Sequence, residues 1–508
     1  MINKITALIL VAGSISGLAF ADGSNEQEPY KFENNVESLK HYKCPEWFRD
    51  AKFGIYLHWG VYSVPERGEW YPRYLYIETG SQYRYHVKTY GHPSEFGYKD
   101  FIPMWHAENF DPDALVGLFK QAGAKYFTPC AVHHDNFDLW DSKYHEWNSV
   151  KMGPKKDLTK MWRDATLKAG LRFGVTTHLS RSYSWFNTSN QADTKGPMKG
   201  IPYDAAQGKG SGFYPANDGQ SISQSAPKNP PVEWRENWKK RMTQLIDDYE
   251  PDHFYFDCAV PFLGDDESRT GMDVIAHYYN KRPEGVMCIK ARKGQGLYVD
   301  GIATLDFERH KSDDVLVDAW QTDDSIGPWG YKAGAKYVES GLVIDKIVDI
   351  VSKNGNMLLN IPIKADGSLD DQATQLLKDV GHWFDVNGEA IYATRPWVIS
   401  GVGDTDMDHK AQISPMTCED IRFTRNKENT VLYATVLDWP GSKLVLKTLE
   451  GTDLSDVRSI RLLGVDGELK WTQSANGLQI NMPSEPACEY AYSVRIEFNK
   501  SIVAPNAR

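Results

Sequence analysis

His253-Phe254-Tyr255-Phe256-Asp257-Cys258 is a short apolar run that ends on a carboxylate. Upstream, Trp234, Trp238, Met242, Leu245 and Tyr249 recur at helical spacing, and Pro251 breaks that helix before the run begins. The order is therefore helix, turn, buried strand. In α/β barrels the C-terminal ends of such strands carry the chemistry, which puts Asp257 where a reacting group is expected. An isolated Asp at that place would more often cap the next element, so the rest of the chain decides between the two.

The same alternation recurs on both sides. Residues 53–60 read as a strand ending in His58-Trp59, with Glu69-Trp70 in the loop beyond. A helix over 111–122 leads into a strand at 126–132 and then His133-His134-Asp135, and a helix over 157–169 leads into 171–177 and His178. After the Asp257 unit, a helix near 272–281 feeds a strand at 286–289 that opens into Lys290, Arg292 and Lys293. Further strand-like runs end near Glu308 and Trp320, and helix 336–352, strand 357–363 and helix 369–386 close the series. Residues 187–231 are rich in Gly, Ser, Asn, Gln and Pro without apolar period, which predicts a long loop above the pocket mouth. Beyond Tyr392 the runs at 431–437, 444–448, 459–463 and 492–498 are short, alternating and free of long helices. The expected architecture is α/β: a (β/α)8-like barrel over residues 22–390, then a C-terminal antiparallel β-sandwich over 391–508.

Lys4, the apolar stretch 5–20 and Ala19-Phe20-Ala21 before Asp22 read as a secretory signal over residues 1–21, so a secreted or periplasmic protein is expected. No other run is long and apolar enough to span a membrane. A net charge of -11 disfavours nucleic acid and anionic membranes as partners. Six cysteines are too few and too scattered for a disulfide framework; only Cys418 and Cys488, which share the C-terminal region, are candidates to pair. Aromatic residues reach 12 %, which suits stacking on sugar rings as well as ordinary core packing.

The strand ends and loops supply His58, Glu69, Trp70, His133, His134, His178, Asp257, Arg292 and Glu308. A closed parallel barrel brings such residues to one face. Each has a plain structural alternative, such as a histidine bonded to a backbone carbonyl or an arginine on the surface. Together they form a set of donors and acceptors suited to a polyhydroxylated ring. Retaining glycosidic cleavage needs a carboxylate to attack the anomeric carbon and a second acid to protonate the leaving oxygen. Asp257 is the candidate nucleophile, with Arg292 expected to keep it ionised, and Glu308 the candidate acid/base. Metal binding is the chemical competitor. The histidines lie on separate strands without a metalloprotease-like spacing, so neither a metal nor another cofactor is expected.

Several stretches resemble glycoside hydrolase family 29, the α-L-fucosidases. They are Lys52 through Pro65, Gly68-Glu69-Trp70-Tyr71, His133-His134-Asp135-Asn136-Phe137, Val351 through Asn356, and Val386 through Tyr392 with Thr394-Arg395-Pro396-Trp397. The resemblance covers roughly residues 40–397. It implies a cofactor-free retaining mechanism with Asp257 as nucleophile. It also implies sugar binding by His58, Glu69, Trp70, His133 and His134, with Tyr255 at an aromatic position two residues before the nucleophile. Arg292 matches an arginine of the next strand less securely, and Glu308 is the local candidate for the family's variable acid/base.

Three departures stand out. His178 replaces a tyrosine-rich strand end, Asn136 stands where Gly is usual, and Trp320-Gln321-Thr322 carries Gln where many members carry Glu. The expected function is release of terminal α-L-fucose, or a close relative, from oligo- or polysaccharides. One alternative is an α-L-galactosidase acting on algal galactan, sulfated or not, the sulfate idea resting on Lys290, Lys293, Arg309, His310 and Lys311. Another is a carbohydrate-binding protein that has lost turnover.

Overall fold

The computed structural model describes residues 30–215, 222–291, 296–403, 405, 416–450 and 453–502. The expected secretory signal, residues 1–21, therefore lies outside the described residues. Eight parallel strands form a closed barrel: β1 (Phe53–Leu57), β2 (Tyr126–Val132), β3 (Arg172–Thr177), β4 (His253–Phe256), β5 (Val286–Lys290), β6 (Thr304–Asp306), β7 (Trp320–Ser325) and β8 (Gly355–Asn360), with β8 pairing back onto β1. Most strands read as unbroken apolar runs because helices cover them outside and side chains fill the barrel within.

Space inside is tight. A Cβ on Gly54 would lie 2.4 Å from the Tyr126 ring, and one on Gly174 would lie 2.4 Å from Thr128 Oγ1. Glycine at these two strand positions lets the neighbouring side chains lie across the barrel.

The covering helices are α1 (Pro112–Gln121), α2 (Leu158–Lys168), α3 (Val232–Tyr249), α4 (Arg269–Lys281), α5 (Ser340–Ser352) and α6 (Asp371–Asn387). Asp111, Asp157 and Asp370 cap α1, α2 and α6 through their carboxylates. Among the described residues no helix separates β5 from β6 or β6 from β7. This is why the periodicity misplaced that region: Trp320 begins β7 rather than ending a strand, and Gln321 is buried inside the barrel.

Within the expected loop at 187–231, the described residues are more ordered than their composition implies. Tyr203, Phe213 and Tyr214 are buried, and Tyr76 and Tyr214 both donate through their hydroxyls to Asp204, at 2.9 and 2.7 Å. A few aromatic anchors thus fold a segment that has no period.

The C-terminal strands are antiparallel, as expected. β9 (Arg395–Val402), β10 (Ile421–Arg425), β11 (Val431–Val436), β13 (Val457–Leu462) and β16 (Tyr492–Phe498) form one sheet. β12 (Lys443–Leu446), β14 (Trp471–Ser474) and β15 (Gly477–Asn481) form the second, and Phe423, Leu432, Leu446, Leu478 and Val494 lie in a shared apolar core. All six cysteines are free thiols, so Cys418 and Cys488 do not pair. Among the described residues no helix is long and apolar enough to cross a membrane.

Candidate active site

The strand ends converge on a cavity of about 280 Å³. Asp257 enters it directly after β4, its backbone N–H still donating to Thr177 O at 3.2 Å. His178 Nδ1 donates to Asp257 Oδ2 at 2.9 Å, Lys290 Nζ donates to Asp257 Oδ1, and His134 Nε2 lies 3.9 Å from Oδ2. Burial alone would push the Asp257 carboxyl up. The Lys290 charge and the His178 bond outweigh it and hold the group well below the usual carboxylate range.

Lys290, the last residue of β5, also donates to Glu308 Oε2 at 3.1 Å and Asp323 Oδ2 at 3.3 Å, and Tyr56 Oη donates to Asp323 Oδ2 at 2.9 Å. Asp257 and Glu308 therefore meet on one ammonium, their nearest oxygens no farther apart than two hydrogen-bond lengths. Their side chains differ in exposure, 11 % for Asp257 against 34 % for Glu308. One acid is enclosed and the other reaches the mouth. Beneath them Asp306 is fully buried, and burial followed by the Asp323 charge pushes its carboxyl well above the usual range, so it stays neutral.

The histidines complete the wall. His58 Nδ1 donates to Asn360 Oδ1 at 2.9 Å, since Asn360 Nδ2 already donates to Ser325 Oγ and the Trp329 carbonyl. His134 Nδ1 donates to the His178 carbonyl at 2.7 Å. In both rings Nε2 is left as an acceptor, a partner for a sugar hydroxyl. Burial keeps these rings neutral, pulling His58 down to about 3 and His133 and His134 well below their usual value. Glu69 lines the same cavity and accepts from Gly330 N at 2.8 Å, and Trp70 sets its ring edge-on to His134 at 5.9 Å.

Of the residues expected from the sequence, His58, Glu69, Trp70, His133, His134, His178, Asp257 and Glu308 all line the cavity. Tyr255 does not. It is fully buried below the floor, with Lys290 Nζ 5.6 Å over its ring, because residues two apart on a strand occupy successive layers of a barrel. Arg292 lies outside the described residues, and the cation beside Asp257 is Lys290. Tyr56, Arg181, Ser225, Asp323 and Trp329 also line the cavity and were not anticipated. Asp323 had a signal, an acidic pair inside a barrel strand, whereas Ser225 and Trp329 sit in loops with none.

Separate strands do not keep the histidines apart. The ligand atoms of His58, His133 and His178 lie within 4.8 Å of one another, as do those of His134, His178 and Asp257. His58 and His178 each spend one ring nitrogen on Asn360 or Asp257, and Lys290 sets a positive charge against the second group.

An enclosed ionised carboxylate and an accessible one, facing a wall of hydroxyl-binding groups, are what cleavage of a glycosidic bond requires, and the class is that of a barrel glycoside hydrolase. The chain belongs to the alpha-L-fucosidase family: residues 19–389 match "Alpha-L-fucosidase" and residues 414–497 match "Alpha-L-fucosidase C-terminal domain". It is 29 % identical over 468 residues to the tissue alpha-L-fucosidase of Rattus norvegicus, covering 90 % of each chain. It is 28 % identical over 484 residues to the human tissue enzyme, covering 92 % of each. The Thermotoga maritima alpha-fucosidase solved with a mechanism-based inhibitor superposes with a TM-score of 0.70 at 30 % identity, covering 92 % of this chain and 100 % of that one.

Proposed function

We propose that this protein is a secreted or periplasmic, exo-acting, retaining α-L-fucosidase that removes terminal α-L-fucose from oligo- or polysaccharides. The observation that carries the reading is the pair Asp257 and Glu308 bridged by Lys290 at one cavity. The bridge is compatible with the roughly 5–5.5 Å carboxyl separation of double displacement. Asp257 attacks the anomeric carbon while Glu308 gives its proton to the departing oxygen. Glu308 then takes a proton from water, the water oxygen bonds to the anomeric carbon, and the Asp257 ester bond breaks. The neutral imidazoles of His58 and His134 accept from ring hydroxyls throughout. The inhibitor captured by the Thermotoga maritima relative is consistent with such a covalent step.

The test is the configuration of the first sugar released from an aryl α-L-fucoside, read by proton NMR. An α product supports the mechanism, and a β product overturns it. Asp257→Asn is expected to lower kcat by about a thousandfold or more with the fold intact. Glu308→Gln is expected to slow substrates with poor leaving groups far more than activated aryl glycosides. A protein that binds but never turns over any fucoside would be the carbohydrate-binding alternative. For localisation, N-terminal sequencing of the mature protein should begin at Asp22.

A second reading, α-L-galactosidase, is favoured by His178, a polar ring in the cavity wall beside Asp257. A site with a polar group poised for an extra hydroxyl discriminates against the substrate lacking it. Parallel rates on aryl α-L-fucoside and α-L-galactoside decide. The sulfate idea finds little support, because Lys290 is engaged by three carboxylates, Arg309 donates to the Gly327 carbonyl at 2.8 Å, and Lys311 lies 4.0 Å from Asp349. Lys293 lies outside the described residues.

A further inference from the structure

A second pocket of about 490 Å³ is lined by residues close in sequence to those of the catalytic cavity. The cavity is lined by His134, Arg181 and Ser225, while the second pocket is lined by Asn136 and Tyr183, each two residues further along. Ser184 Oγ donates to the Ser225 carbonyl at 2.6 Å, tying the segment that carries Arg181 and Tyr183 to Ser225.

Asn136, which stands where the family usually has Gly, helps to build this second pocket. It holds a left-handed backbone at φ +60°, a conformation Asn tolerates. Its Nδ2 donates to the Phe213 carbonyl at 2.7 Å and its Oδ1 accepts from Arg241 at 2.8 Å, tying the 211–214 turn to α3. A glycine would make neither bond.

The lining is aromatic and polar together. The Tyr144 ring is 45 % exposed, Trp147 stacks on Phe213 with centroids 4.8 Å apart, and Trp234 packs on Tyr183 at 5.3 Å while its buried Nε1 has no hydrogen-bond partner. Flat rings beside the polar side chains of Glu146, Glu233 and Asn237 fit a sugar, whose C–H face stacks and whose edge hydroxyls hydrogen-bond. No lining cation is available to a sulfate. Arg241 is consumed by Asp138 and Asn136, and burial pulls the His145 ring well below its usual value and so keeps it neutral. The volume lies within the range of small-ligand sites, about 300–1,000 Å³.

We infer that this pocket is a second carbohydrate subsite that binds the neutral leaving-group glycan of a substrate whose terminal sugar occupies the Asp257 cavity. The inference rests on the hydrolase reading above. The experiment compares kcat/KM of the wild type, Tyr144→Ala and Trp234→Ala on 4-nitrophenyl α-L-fucoside and on an α-L-fucosylated tetrasaccharide. A fall of about tenfold on the oligosaccharide with the aryl rate unchanged is the expected result. Unchanged oligosaccharide rates, or equal losses on both substrates, would overturn it. Should the wild type cleave neither fucoside, the hydrolase reading fails by itself, and calorimetric titration of the tetrasaccharide into wild-type and Tyr144→Ala protein still judges the pocket. Weaker binding by the variant upholds it and equal binding overturns it.

Discussion

Lys290 donates to Asp257, Glu308 and Asp323, and its charge is the largest influence holding Asp257 ionised against burial. Replacing it with Met leaves burial opposed mainly by His178, so the Asp257 carboxyl must rise. The acid limb of the kcat/KM profile of Lys290→Met is expected to move to higher pH by about one unit or more, measured on an aryl fucoside. An unmoved limb would mean that Lys290 does not control the ionisation of Asp257. The sequence placed Lys290 and Arg292 at this strand end and gave the role to Arg292, which lies outside the described residues, while Lys290 donates to Asp257. Lys290 is the last residue of β5, and where that strand ends sets its ammonium on Asp257.

At the scale of elements, α5 and β10 are joined through a buried carboxylate. Asp349 accepts from Arg422 Nε at 2.6 Å and from Lys353 Nζ at 2.9 Å. Burial raises its carboxyl, but Lys353, Arg422 and Lys311 outweigh burial and lower it. Arg422→Met leaves the lysines in place, so the cost should fall near the lower end of the roughly 3–5 kcal/mol seen when a buried pair is broken. Urea unfolding should show this as a lowered midpoint, with activity on aryl fucosides preserved below the transition. Because the Asp349 carboxyl is depressed, its stabilisation is present above its unfolded value and is lost as pH falls.

For the whole molecule, buried ionisable groups make stability depend on pH. Burial depresses six imidazoles: His58 and His253 to about 3, His86 to about 4, and His133, His134 and His145 well below their usual value. Their unfolded counterparts take up protons below about 6.5, so stability falls as pH drops through that point. Burial raises Asp138 and Asp204 to about 6, Asp135 to about 7 and Asp345 to about 8. These acids stabilise the folded state below their unfolded value, and the effect is lost as pH climbs through the raised one. Burial raises Asp306, Glu69 and Asp157 in the same direction and pulls Lys52 down to about 7, so acids and imidazoles oppose each other on the acid side and Lys52 opposes the acids above about pH 7. Asp345→Asn, which cannot ionise, is expected to gain Tm relative to the wild type as pH climbs toward about 8, measured by calorimetry. A Tm difference that does not grow between about pH 4 and 8 would contradict this.

The order of helix and strand, the antiparallel C-terminal region and the positions of His58, His133, His178 and Asp257 were legible in the chain, because periodicity and strand ends are local properties. The helix-poor stretch between β5 and β7 was not, since short strands without intervening helices have no period to read. Tertiary structure alone decided that Glu308 shares a cavity with Asp257, that Tyr255 lies beneath it and that Asp323 supports Lys290. Closing the barrel joins residues far apart in sequence, and the layer each side chain occupies depends on strand stagger, which no local pattern encodes.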